Sequence, residues 1–270
     1  MTENRFVKVI QDRLQNCRHE LNAQWISQKS IQTRYFVLDD LLDAKDAQQI
    51  FNAFPVDSAE LHRQQSFRER KRTLTALGKQ NPILSAITLA FQDPSVVGEI
   101  SEICSLKGLE ADPTLYAGGL SMMSAGDFLN PHIDNSHDGN RSRYRRLNLL
   151  FYVTPEWQLD YGGNLELWNP SVEESVTIWS KFNRLVVMET NRESWHSVSP
   201  VNCDYFRCCV SNYFFSSDSP CLGEYFHVTS FTGRPEQPFR KMIGAVDNMA
   251  RNLVAKMLGV GRGRKRINKL

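Results

Sequence analysis

Asn130-Pro131-His132-Ile133-Asp134-Asn135 is a short strand-like segment framed by turn-forming residues, and it belongs to a series. From about Thr114, runs of Val, Leu, Tyr, Phe and Trp alternate with Gly, Asn, Pro and Asp at intervals of roughly ten residues, the pattern of a β-sandwich or barrel. Strands are expected near 115–123, 129–134, 146–153, 164–168, 175–179, 184–188, 195–199 and 206–215. Turns fall at Gly162-Gly163, Asn169-Pro170, Lys181-Phe182-Asn183 and Pro200. Eight such strands in two facing sheets make a jelly roll.

Upstream the pattern is mainly helical. Phe6, Ile10, Leu14 and Leu21 recur at helical spacing, which predicts a helix over 4–28. Tyr35-Phe36-Val37-Leu38 reads as a strand, Asp43 to Phe54 as a helix stopped by Pro55, and 82–91 and 95–106 as two more helices. Between them, residues 58–80 are polar and basic, and are expected as an exposed connection with a weak strand near Thr73 to Leu77. Downstream, Phe239, Met242, Ile243, Val246, Leu253, Val254 and Met257 share one face of a helix that begins after Pro238 and stops at Gly259. A basic tail with Arg262, Arg264, Lys265, Arg266 and Lys269 follows. The expected organisation is one domain of mainly β class with flanking α-helices: a helical portion at 1–110, a core at 111–222, and a C-terminal helix and tail at 223–270.

With 270 residues, 41% of them hydrophobic and 23% charged, the chain can bury a substantial core. Its net charge of +2 sets up no field that would call for nucleic acid as a partner. No stretch approaches the ~18 apolar residues of a membrane-spanning helix. Met1 to Arg5 opens no continuous apolar run of the signal-peptide kind, so a cytoplasmic location is expected. The C-terminal apolar face is read as cover for the sheet, with peripheral contact to an anionic membrane through the basic tail as the alternative. The six cysteines show no CxxC pair and are expected as free thiols.

Residues two apart on a strand project to the same face, so His132 and Asp134 can grip one metal ion together. A second histidine, His196, lies in Ser194-Trp195-His196-Ser197-Val198. Two histidines and one carboxylate on one side of a metal leave the opposite positions open, as in the facial triad of non-haem iron(II) oxygenases. The open positions suit chelation by a 2-oxo acid together with O2. A His-x-Asp pair alone is a weak signal, since such residues in a loop are commonly just solvated. Arg207 opens the strand that follows. Its guanidinium can take the distal carboxylate of a 2-oxo acid bidentately, or can point outward to a surface carboxylate.

The run from Gly118 through Phe215 resembles the prolyl 4-hydroxylase-like branch of the 2-oxoglutarate and iron(II)-dependent dioxygenases. The matching marks are His132-Ile-Asp134, Tyr161-Gly-Gly-Asn-Leu-Glu-Leu-Trp168, Asn183-Arg-Leu-Val-Val-Met188, Ser194-Trp-His196-Ser-Val198 and Arg207. The resemblance implies a double-stranded β-helix, iron(II) held by His132, Asp134 and His196, and Arg207 on the distal carboxylate of 2-oxoglutarate. It also places Tyr152 on that carboxylate, with Asn148 alongside. O2 is then the second cosubstrate and ascorbate an accessory. Two features depart from many relatives: Met122 and Met123 stand where an aromatic often precedes the metal motif, and the interval from His196 to Arg207 is slightly longer. Asp134 is retained, which favours hydroxylation over halogenation.

The polar stretch holding Asn135, His137, Asp138, Arg141, Arg143, Tyr144, Arg145 and Arg146 reads as a solvated loop, with a substrate lid as the alternative. Its four arginines, if they face the site, suit an anionic or carbohydrate-bearing substrate. Prolyl residues, free amino acids and carbohydrate- or lipid-linked intermediates stay open as substrates. Two rival readings are a non-catalytic ligand-binding jelly roll and a cupin-type metal hydrolase or isomerase.

Overall fold

The computed structural model describes residues 2–27, 31–56, 61–112, 114–116, 118–221, 223–237, 239 and 241. Helices α1 (Thr2–Asn16) and α2 (Arg18–Ile26) realise the first predicted helix with a break at Cys17, and strand β1 (Tyr35–Leu38) leads to α3 (Ala44–Asn52). Strands β2 (His62–Gln65) and β3 (Glu69–Leu74) precede α4 (Pro82–Ala90) and α5 (Pro94–Cys104). Each of these last two helices starts in the same way. Asn81 and Asp93 accept the orphan N–H two residues on, and Pro82 and Pro94 supply a preset φ at the first helical position. The core strands are β4 (Gly119–Met123), β5 (Phe128–Ile133), β6 (Tyr144–Tyr152), β7 (Leu165–Trp168), β8 (Ser175–Ile178), β9 (Arg184–Glu189), β10 (His196–Val198) and β11 (Arg207–Ser216), with a short β12 (Ser230–Phe231).

The strands form one antiparallel sheet of twelve that curls on itself so that its two halves face each other, in the order β1-β9-β6-β11-β4-β3-β5-β10-β7-β8, with β12 on β5 and β2 on β3. The join is β3. Arg72 to Leu74 pair with β4, and Glu69 and Arg70 pair with β5. Residues 62–74 of the basic segment are therefore a hairpin rather than a plain connection, and its second strand overlaps the weak strand expected near Thr73 to Leu77. Ser66 makes its turn by accepting the N–H groups of Arg68 and Glu69 on its hydroxyl. Hydrophobic alternation could not reveal a strand whose inward face carries Glu69, Lys71 and Thr73.

Strict alternation on β11 separates the two faces of the large half of the sheet. Cys208, Val210 and Phe214 pack with Phe151, Leu149 and Leu147 of β6 beneath helices α1, α4 and α5. Arg207, Cys209, Ser211 and Tyr213 face the opposite way, into a cavity also lined by His132, Leu165 and His196 from the smaller half. All six thiols are free. Among the described residues no helix is long and apolar enough to cross a membrane. The expected C-terminal helix and basic tail lie, apart from Phe239 and Lys241, outside the described residues.

Candidate metal centre

His132 and His196 sit side by side because β5 and β10 pair in register at these two residues. Their rings are 4.1 Å apart between centroids. Asp134 follows the end of β5, and one ligand atom from each of His132, Asp134 and His196 lies within 4.8 Å of the others, a group able to hold a metal ion. Each carboxylate oxygen addresses one histidine: Oδ1 is 3.6 Å from His132 Nε2 and Oδ2 is 3.6 Å from His196 Nε2.

Local backbone sets the tautomers. His132 Nδ1 is 3.0 Å from the Asn130 carbonyl, and His196 Nδ1 is 2.9 Å from the Ser194 carbonyl. A carbonyl only accepts, so Nδ1 carries a proton in both rings, and in the neutral form of each ring Nε2 keeps its lone pair for the shared point. Burial, reinforced by the neighbouring His132, pushes the His196 pKa down to about 4, which keeps this imidazole neutral. Burial works against ionising Asp134, but opposing interactions led by the Arg145 charge hold the carboxyl well below its ordinary range.

Arg145 is the functional side chain that the sequence reading left among solvated loop residues. It is 2% exposed. Its Nη1 lies 3.1 Å from Asp134 Oδ2, Nη2 donates to Asn135 Oδ1 at 3.1 Å, and its guanidinium covers the Tyr213 ring at 4.2 Å. A β-bulge explains the miss. The β6–β11 register shifts between Phe214 and Phe215, so Arg145 rather than Arg146 falls on the face of Asn148. A bulge of this kind has no signature in a period-2 pattern. Other parts of the stretch are also withdrawn from solvent: Ser136, His137, Asp138 and Arg146 are buried, whereas Asn140 and Ser142 are exposed. His137 is no metal ligand; it pairs with Ser136 Oγ at 2.7 Å and packs on Tyr144.

Asn148 lines the same cavity as Tyr152 and Arg207. Its Nδ2 donates to Asp134 Oδ2 at 2.7 Å. Four residues separate it from Tyr152 on one face of β6, about 13 Å along a strand, so it serves the metal end of the cavity rather than the Tyr152 end. Its Oδ1 is buried without a partner among the described residues.

Arg207 points inward and is 4% exposed. It donates to the Gly163 carbonyl at 3.2 Å and to Ser121 Oγ at 3.3 Å, and lies 5.3 Å from the Tyr152 ring. Both Arg207 Nε and the Tyr152 hydroxyl, which has Ser180 close by, lack a partner of hydrogen-bonding geometry among the described residues. Burial raises the Tyr152 pKa, so its hydroxyl remains a proton donor. Of the two methionines at the departure noted above, Met123 lines the cavity and Met122 packs beneath the helices.

A curled jelly roll with two imidazoles and a carboxylate at one end of a cavity and a buried guanidinium at the other is the architecture of non-haem iron oxygenases that consume a 2-oxo acid. Residues 118–215 match the model of the 2OG-Fe(II) oxygenase superfamily. No curated protein sequence matches the chain. Solved structures of similar fold include a prolyl 4-hydroxylase from Phytophthora capsici, with a TM-score of 0.56 and 17% identity over 94% of this chain and 78% of that one. A Pseudomonas putida prolyl 4-hydroxylase gives 0.55 and 16% over 75% and 98%. A Trichoplax adhaerens prolyl hydroxylase, in complex with a hypoxia inducible factor peptide fragment, gives 0.54 and 18% over 78% and 96%. The 2OG-Fe(II) oxygenase match thus falls on the core strands that carry His132, Asp134 and His196, within a fold similar to that of prolyl 4-hydroxylases, and this donor set suits iron(II).

Proposed function

We propose that the chain hydroxylates an unactivated C–H bond, with His132, Asp134 and His196 as the iron ligands and Arg207 and Tyr152 as the holders of the 2-oxoglutarate distal carboxylate. The observation that carries this is the convergence of three ligand atoms within 4.8 Å, two of them imidazole nitrogens with free lone pairs. The donor set fits the metal: two imidazoles and one carboxylate suit iron(II) and leave positions open. The other end fits the cosubstrate. Arg207 Nε and the Tyr152 hydroxyl are buried donors with no acceptor among the described residues, and a carboxylate satisfies both. Iron(II) with 2-oxoglutarate supplies O2 activation coupled to decarboxylation of the cosubstrate to succinate.

The chain's own groups position and shield. Asn148 and Arg145 both engage Asp134 Oδ2, which leaves Oδ1 as the oxygen better placed for the metal. Leu150, Leu165 and Val198 line the cavity with apolar surface and limit the water that reaches it. The substrate is a prolyl residue, an amino acid or a carbohydrate- or lipid-linked compound. The peptide bound by the Trichoplax relative makes prolyl peptides the first to test.

The test is succinate formation from 2-oxoglutarate by the iron-loaded protein, alone and with proline-containing peptides. Wild type turns over 2-oxoglutarate, and His132→Ala and His196→Ala lose at least about 100-fold of it. Wild-type protein that binds neither iron(II) nor 2-oxoglutarate overturns the reading.

A further inference from the structure

Residues 227–234 run as an extended strap along β5, behind the metal centre. At one end the His227 backbone bonds reciprocally with Ser136: the Ser136 N–H donates to the His227 carbonyl and the His227 N–H to Ser136 Oγ. In the middle, β12 pairs with His132 and Ile133, and the Thr232 N–H donates to the Pro131 carbonyl at 2.9 Å. The Phe231 ring stacks on the His132 imidazole at 5.1 Å and 18°. At the far end Arg234 Nη2 donates to Glu166 Oε2 at 2.6 Å and to the Val198 carbonyl at 3.2 Å. This ion pair is nearly enclosed, with side chains 10% and 12% exposed.

That ion pair is tied to the second histidine. Ser197, next to His196, donates its hydroxyl to Glu166 Oε2 at 2.5 Å and accepts from Trp168 Nε1 at 2.7 Å. One strap therefore touches both imidazoles: it flattens one directly through Phe231, and it fixes the strand of the other through Arg234, Glu166 and Ser197. The hydrogen bonds from Nδ1 fix each ring at a single edge and leave rotation about that edge to be resisted by packing. For His132 that packing is the Phe231 face.

We infer that the strap is a clasp for the metal, in which Phe231 and Arg234 are positioning residues that hold the two histidines in ligating geometry. This rests on His132, Asp134 and His196 being the ligands. Phe231 acts on one imidazole and Arg234 on the strand of the other, so loosening either opens the three-point site by the same route.

Cobalt(II) titration of the full-length metal-free protein, without 2-oxoglutarate or O2, is the test, read by the ligand-field absorption of the bound ion and its release to excess chelator. Phe231→Leu and Arg234→Met each weaken cobalt(II) binding about tenfold, speed its release and shift the absorption bands, as outer partners of metal-bound histidines do. Arg234→Lys recovers part of the loss. Removing Arg234 alone strands a buried Glu166, so the double variant Arg234→Met with Glu166→Leu carries the test if the single one unfolds. Folded variants with wild-type affinity, release rate and spectrum overturn the clasp, while wild-type protein that takes up no cobalt(II) overturns the ligand assignment beneath it.

Discussion

Arg145, beside Asp134, and Arg207, in the cavity wall, are both buried cations, and their partners separate their roles. Arg145 spends its charge on Asp134, so Arg145→Met is expected to weaken metal binding about tenfold while the 2-oxoglutarate affinity of the metal-saturated enzyme stays near wild type. Arg207 has no carboxylate partner among the described ion pairs, and only a carbonyl and a hydroxyl accept from it. Arg207→Met is expected to weaken 2-oxoglutarate binding on the order of 100-fold, with metal binding unchanged, since a buried charge has lost its mate. Calorimetric titration of each variant with manganese(II) and then 2-oxoglutarate checks both. The triad itself was legible because a strand of period 2 puts His132 and Asp134 on one face whatever else surrounds them. Arg145 was not legible: the face it occupies is set by a bulge opposite Phe214 and Phe215 of β11, which pairs with β6 although it comes five strands later in the chain.

Elements hold these residues through a few fixed junctions. At Gly162, φ is +71°, and a Cβ there would overlap the Pro200 carbonyl. The same turn presents the Gly163 carbonyl to Arg207 and to Ser180. Gly162→Ala is expected to cost at least about 2 kcal/mol of stability, from left-handed strain plus the clash, which denaturant unfolding would read. A second junction joins β1 to β9, where Asp39 takes Arg184 at 2.5 Å and Lys181 at 3.0 Å. The Arg184 hydrogen bond, with Lys181 beside it, pulls the Asp39 pKa below its ordinary value. A depressed carboxyl stabilises the fold fully above the unfolded pKa of about 4 and loses that contribution as pH falls below it. Asp39→Asn is therefore expected to lower Tm by about 1–2 °C at pH 7, a modest effect because the pair is partly solvated. The gap to wild type should narrow below about pH 4; a gap that widens in acid would contradict the pairing.

On the scale of the whole molecule, metal and cosubstrate act as ligands of the folded state alone, because the unfolded chain does not bring β5, β10 and β11 together. Manganese(II) and 2-oxoglutarate at about 100 times their dissociation constants are each expected to add about 2.7 kcal/mol, visible as a Tm increase that a chelator reverses. The same increase should be absent in His132→Ala with manganese(II). Helices α1, α4 and α5 cover only the outer face of the large half-sheet, so the cavity face is free to be polar and the core is still built. That division explains why the strand pattern was strong in the sequence while the cavity-facing residues looked irregular.

The amino-acid sequence by itself determined the alternating strands from Gly119 to Ser216, the capped helices before them, and the local His-x-Asp grip, because each depends on neighbours a few residues apart. Tertiary structure alone decided that β3 bridges the two halves of the sheet, that a bulge swings Arg145 onto Asp134, that Asn148 joins it there, and that Arg234 reaches Glu166 across 68 residues. These contacts pair polar groups far apart in the chain. Their partners satisfy charge and hydrogen bonding only after the strands have closed, and no periodic pattern records such a meeting.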